Sequence, residues 1–224
     1  MQSYIDKINE LIKEITKNEG NIFILEAGCG SSSRFDFGEN AYISGVDISQ
    51  NQLNKNKVIQ NRIHGDIQKI ELQYSSFDII ICWEVLEHVK RPELALKNFV
   101  RWLKNDGLII IGVPNVMSLK GLVTKLTPYK FHYWCNKHIF KWKSVPFPAY
   151  LRMFISPRSL KNFAEENNLF VQWTHFDNEW IKTLKKSSLL IYSIYFAIGF
   201  ILKILSCGFI SIKKTGFIIV YRKV

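Results

Sequence analysis

Hydrophobic and polar positions follow two periods along the chain. Ile5, Ile8, Leu11, Ile12 and Ile15 recur at three- and four-residue steps, which predicts an amphipathic helix over 3–17 ending near Gly20. Short apolar runs then alternate with helical patterns. Asn21 to Leu25, Tyr42 to Val46, Val58 to His64, Phe77 to Cys82 and Gly107 to Val113 read as strands. Residues 49–57 and Glu93 to Leu103 read as helices, the second with Leu94, Leu96, Phe99, Val100 and Leu103 turned inward. Ser156-Pro157 opens a further helix to about Asn167, with proline at its first position. Leu169 to Phe176 and Phe217 to Tyr221 complete a set of seven strands.

Strands that are apolar on both faces and alternate with helices predict an α/β fold of Rossmann-like type. The expected sheet has seven strands, mostly parallel, with helices on both faces and the last strand antiparallel. The expectation is one domain over 1–224, with a lid insertion at 115–155 and a hydrophobic insertion at 177–216 between the last two strands. In open α/β sheets ligands bind beyond the carboxyl ends of strands, where the lid begins.

Composition adds little to the fold but much to the charge. Of 224 residues 47% are apolar and 22% charged, an ordinary folded composition that excludes a disordered or collagenous chain. Residues 1–106 carry 13 Lys and Arg against 15 Asp and Glu, whereas 107–224 carry 17 against 4. A half-chain this basic faces an anionic partner: an anionic substrate, an anionic membrane surface or nucleic acid. Cys29, Cys82, Cys135 and Cys207 have neither metal-site nor redox spacing and read as buried, reduced thiols of a cytoplasmic protein. Charge is spread through the first residues, so no secretory signal is expected.

The first strand runs into Glu26-Ala27-Gly28-Cys29-Gly30 and a serine run. A dinucleotide fingerprint requires a third glycine where Ser33 stands. Glu26 at the strand tip would repel a pyrophosphate but suits an ammonium group. S-adenosylmethionine carries an ammonium and a sulfonium and no phosphate. Asp47, at the end of the second strand, is placed to accept the ribose hydroxyls. Asp66 could accept from the adenine amino group, with Ile67 packing on the ring.

These residues resemble the class I S-adenosylmethionine-dependent methyltransferases. The resemblance rests on Leu25-Glu26-Ala27-Gly28-Cys29-Gly30, Gly45-Val46-Asp47-Ile48-Ser49, Gly65-Asp66-Ile67 and Phe77 to Cys82. Glu84-Val85-Leu86-Glu87-His88-Val89 looks like the subgroup of ubiquinone-biosynthesis O-methyltransferases. The match covers about residues 20–113 closely and 156–176 with 217–224 more loosely. Ser32 replaces the family's frequent third loop glycine. The resemblance implies S-adenosylmethionine as cofactor, held by Glu26, Gly28, Cys29, Gly30, Asp47, Ile48, Asp66, Ile67 and Trp83.

Methyl transfer from a sulfonium needs proximity and orientation, plus a base where the acceptor is a neutral hydroxyl. His88 is the first candidate base, with His132 and His138 as further ones. If 84–88 is helical, Glu84, Glu87 and His88 share one face and could hold Mg²⁺; otherwise Glu84 lies near the methionine end and the other two cap or pair. Nine aromatic residues between Tyr129 and Phe154 interleave with lysines, among them Lys130, Lys137 and Lys143. That pattern fits a pocket for a hydrophobic, anionic acceptor, and equally a nucleic-acid stacking platform. The fourth strand ends in Cys82-Trp83-Glu84-Val85, without the Asn/Asp-Pro-Pro-aromatic stretch of enzymes that methylate base amino groups.

Leu189 to Ile212 is 24 residues long with one charge, Lys203. The strands on either side of it are expected to pair, so a single membrane crossing is topologically barred. The segment therefore folds back as an interfacial element with lysine flanks, a cap over the pocket, or a homodimer contact. The leading expectation is O-methylation of a hydrophobic small-molecule or lipid-linked acceptor at a membrane surface, by a cytoplasmic protein peripheral on the membrane. An RNA or tRNA methyltransferase, and a non-catalytic S-adenosylmethionine-binding partner, are the alternatives.

Overall fold

The computed structural model describes residues 3–17, 20–142 and 147–224; Lys143 of the lid lies outside them. Seven strands form one sheet: β1 (Ile22–Ala27), β2 (Ala41–Asp47), β3 (Asn61–His64), β4 (Phe77–Trp83), β5 (Leu103–Pro114), β6 (Leu169–Asp177) and β7 (Gly216–Lys223). Their order is β3-β2-β1-β4-β5-β7-β6. All pair in parallel except β7, which runs antiparallel to both neighbours. The order reverses between β1 and β4, so the crevice that binds ligands in such sheets opens beyond Ala27 and Trp83.

Eight α-helices accompany the sheet in the described residues: α1 (Tyr4–Thr16), α2 (Gln50–Lys55), α3 (Pro92–Trp102), α4 (Leu119–Leu126), α5 (Tyr129–His138), α6 (Pro157–Glu166), α7 (Glu179–Ser187) and α8 (Leu189–Leu205). The expected helices become α1, α2, α3 and α6 with ends shifted by one or two residues. α1 begins where it does because Ser3 and Asp6 cap each other's backbone N–H groups. β5 starts four residues earlier than expected, directly after α3. β3 starts three residues later, because the N–H of Val58 donates to the Asn56 side chain and turns the chain there.

Two apolar layers cover the sheet. Ala95, Leu96, Phe99 and Trp102 of α3 and Leu160 and Phe163 of α6 fill one face. Ile8, Leu11 and Ile12 of α1 with Leu53 of α2 fill the other. The two insertions make a third cluster of their own. Leu119 of α4 packs there with Ile181 and Leu184 of α7 and Tyr195 of α8. Backbone bonds from Leu119 to Ser211 and from Ser211 to Met117 stitch them together across more than ninety residues. Of the cysteines only Cys29 and Cys82 are buried; Cys135 is half-buried and Cys207 exposed, which corrects the expectation of four buried thiols. Both exceptions lie on the insertions, away from the sheet. No helix among the described residues is long and apolar enough to cross a membrane.

Candidate functional site

The glycine loop is held by backbone bonds and one buried side chain. The N–H groups of Gly28 and Cys29 both donate to the carbonyl of Val46, at 2.7 and 3.1 Å. Gly28 has φ +79°, and a Cβ there would sit 2.3 Å from a methyl of Val85. This residue can only be glycine on both counts. The N–H of Gly30 donates to Asp47 Oδ2 at 2.9 Å, while Asp47 Oδ1 accepts from Ser49. From below, the amide of Asn56, fully buried, donates to the carbonyls of Cys29 and Gly30. Nothing in the sequence pattern marks Asn56, which reads as one more polar residue of the helix expected over 49–57.

Glu26, Gly28, Cys29, Gly30, Asp47, Ile48, Asp66, Ile67 and Trp83 all line one cavity of about 460 Å³. Glu26 is 7% exposed. Its Oε1 accepts from Ser33 at 3.0 Å, and its Oε2 is buried without a partner. Burial pushes the carboxyl up to about 7, with the Ser33 bond opposing. Asp66 is locked by the backbone and side-chain amide of Gln68. The thiol of Cys29 is pushed up to about 12 by burial, then by Glu26 and Asp47, so it packs rather than reacts.

Trp83 ends β4 and stacks on Tyr4, with ring centroids 5.9 Å apart. Gly112 on the neighbouring strand makes room for its ring, which a Cβ would approach to 2.5 Å. Beside Trp83, Glu84 takes φ +54° and meets Arg34 at 3.3 Å. Arg34 also lies over the Trp83 ring at 5.8 Å. Glu84 borders three cavities: the first, a second of about 390 Å³ beside the ends of β5 and β7, and a third of about 620 Å³ under the lid. The sequence marks Arg34 only as a lone cation in a polar first loop.

Of the two readings of 84–88, the helical face of Glu84, Glu87 and His88 does not form. Glu84 is in the left-handed region and only Leu86–His88 makes a 3₁₀ turn, so the three side chains do not line one helical face. Among the described residues no group of three His, Cys, Asp or Glu side chains is arranged to hold a metal ion. Glu87 is buried and faces the lid cavity, with Oε2 unpartnered. Desolvation first, then the Glu84 charge, pushes it up to about 8 against the opposing backbone bond and Lys120. His88 borders both the first and the lid cavity, its Nε2 lying 3.9 Å from Glu87 Oε1.

The other two histidines fare differently. His132 borders the lid cavity, but its Nε2–H is directed at the carbonyls of Thr124 and Thr127 that end α4. His138 is exposed on α5, tilted against Trp134, and borders none of the three cavities.

Residues 25–111 match the family model of a methyltransferase domain. The chain is 26% identical over 183 residues to (S)-coclaurine N-methyltransferase of Papaver somniferum, covering 73% of this chain and 49% of that one. It is 24% identical over 190 residues to the ubiquinone biosynthesis O-methyltransferase of Pelagibacter ubique, covering 75% and 72%. An uncharacterised protein of Methanocaldococcus jannaschii is 32% identical over 114 residues, covering 51% and 50%. The chain thus spans about half the length of two of these curated relatives. In fold it is similar to geranyl diphosphate C-methyltransferase from Streptomyces coelicolor, solved with Mg²⁺, geranyl diphosphate and S-adenosyl-L-homocysteine. That match has a TM-score of 0.60 and 13% identity, and covers 98% of this chain and 79% of that one.

Proposed function

The chain belongs to the class I S-adenosylmethionine-dependent methyltransferases, and from that premise we propose that it methylates a hydrophobic acceptor held under the lid, on a hydroxyl oxygen, at a membrane surface of the cytoplasm. The observation that carries the cofactor reading is Glu26 Oε2, a buried carboxylate oxygen without a partner at the tip of β1. A desolvated carboxylate suits an ammonium group and opposes a phosphate. The cradle at Gly28, which a Cβ would fill, supports the same ligand.

In this reading Glu26 receives the amino group of the cofactor and Arg34, across the cavity mouth, its carboxylate. Asp47 keeps lone pairs on both oxygens beyond those used by Gly30 and Ser49, and these accept ribose hydroxyls. Asp66 and Ile67 hold the adenine. S-adenosylmethionine, when bound, supplies a methyl group already activated on a sulfonium. The protein's own share is then orientation, exclusion of water and acceptance of a proton. His88 is the base: it borders both the cofactor cavity and the lid cavity. Glu87 beside it holds its proton near neutral pH and keeps the site uncharged on that side.

The acceptor reading draws on the lid cavity. Phe131, Phe140, Trp142, Phe147 and Tyr195 give it an aromatic wall, and Lys120 and Lys125 give it positive charge. Such a lining suits a hydrophobic molecule with an anionic group. Similarity to an O-methyltransferase of ubiquinone biosynthesis supports a hydroxyl as the acceptor. The test is incubation of a lipid and phenol extract with the protein and S-adenosylmethionine, read by mass spectrometry for a methylated product. A product formed only with tRNA, together with a salt-sensitive tRNA gel shift, would replace this reading.

A further inference from the structure

α8 has two unlike faces. Tyr195 and Gly199 are buried; Tyr195 donates to the carbonyl of Ile212, and a Cβ on Gly199 would touch Leu119 and Ile212. The opposite half of the helix is open to solvent. Its exposed positions are apolar except Ser193 and Lys203, and Leu190, Ile201 and Leu205 are 72, 57 and 74% exposed. Ser193 spends its hydroxyl on the carbonyl of Leu189. The helix end is closed as well: Gly208 donates to Lys203, and Ile210 to the Ser206 side chain. An outward face this apolar, with its polar groups satisfied internally, is not a solvated surface.

From this face we infer that α8 lies flat in the headgroup layer of an anionic bilayer, an inference that rests on the reading of the lid cavity as the acceptor site. The partner's charge follows from the flanks. Lys185 and Lys186 precede the helix, Lys203 lies on it, and Lys213 and Lys214 follow; all five are exposed. No acidic residue occurs after Glu179. A basic-flanked apolar helix face matches anionic lipid and gives a second copy of the same basic surface like charges to oppose. The helix does not span: it has 17 residues, and after ten more the chain enters β7 of the same sheet as β6 before it. Its inner face brings Tyr195 to the lid cavity, so the helix that meets the bilayer is also a wall of the acceptor site. The acceptor class that follows is an amphiphile resident in the membrane.

The test is flotation of the full chain with vesicles of phosphatidylcholine alone or mixed with phosphatidylglycerol. The protein should float with the anionic vesicles and lose part of that binding in high salt, where surface charges are screened beyond a few ångströms. Ile194→Asp/Ile201→Asp changes two exposed positions outside the three cavities described above. It should lower the bound fraction about tenfold, since interfacial binding scales with buried apolar area. Its affinity for S-adenosylhomocysteine, measured by calorimetry, should be unchanged, which shows that the variant folds and keeps the cofactor reading separate. Wild type that stays down with every vesicle overturns the inference. So does a dimer in light scattering that the double variant splits, since the face would then be covered by a second copy.

Discussion

Nδ1 of His88 lies 2.8 Å from the carbonyl oxygen of Pro148. A carbonyl only accepts, so Nδ1 carries the hydrogen and the neutral ring keeps its lone pair on Nε2. The bond crosses from the 3₁₀ turn after β4 to the chain that closes the lid. Tyr150 adds a second tie by donating to the carbonyl of Glu87 at 2.7 Å. The contact that ties this end of segment 115–155 to the 3₁₀ turn is therefore also the one that sets the tautomer of His88.

Replacing His88 by alanine should lower turnover by about 10²–10⁴, the usual cost of removing a general base. Affinity for S-adenosylhomocysteine should change little, because the cofactor cavity has other walls. Turnover should survive EDTA. If EDTA abolishes turnover and Mg²⁺ restores it, a metal is required and the role given to His88 as base is wrong.

Cofactor binding should weaken as pH falls below 7. Burial puts Glu26 at about 7, and only its ionised form pairs with an ammonium. Below that value the binding-competent fraction drops by about tenfold per pH unit. Calorimetry with S-adenosylhomocysteine between pH 5.5 and 8 reads the slope. Glu26→Gln should bind more weakly at pH 8 and show no slope; a slope that persists in the variant assigns the proton elsewhere.

Arg34 holds either a ligand carboxylate or only Glu84, and one comparison separates the two. In the first case Arg34→Ala should lose about ten- to a hundredfold in affinity for S-adenosylhomocysteine, as expected for a charge-assisted bond. Affinity for the decarboxylated analogue, which keeps the amine, should hardly move. Equal losses for both ligands would mean that Arg34 merely supports the loop through Glu84.

The strand tips were legible and the loops were not. Glu26, Gly28, Asp47 and Asp66 end or follow apolar runs, so periodicity alone places them at one edge of a parallel sheet. Arg34 reaches the cavity, and Asn56 the loop beneath it, from segments with no period, and their partners lie 50 and 26 residues away. The sequence leaves 84–88 open between a helical face and a capped or paired turn, and the turn forms because Glu84 adopts a positive φ, which no spacing rule detects. The common core of segments 115–155 and 177–216 was hidden, since it joins Leu119 to Ser211 across the last strands.

Glu87 should make the fold less stable as pH rises. In the folded chain its carboxyl is pushed up to about 8, and unfolded it returns to about 4.5. Between these values the folded state binds the extra proton, so the contribution to stability is complete below about 4.5 and disappears as pH rises to about 8. Glu26 acts in the same direction over a narrower window. Glu84 and Lys120 pull on Glu87 in opposite senses, so the comparison must be made in one background. Glu87→Gln keeps the shape and removes the titration. Melting temperatures from pH 5 to 8.5 should fall for the wild type and fall less for the variant, with the curves drawing together or crossing toward pH 8. Parallel curves would show that Glu87 is ionised in the folded chain, and the uncharged site assumed beside His88 would have to be abandoned.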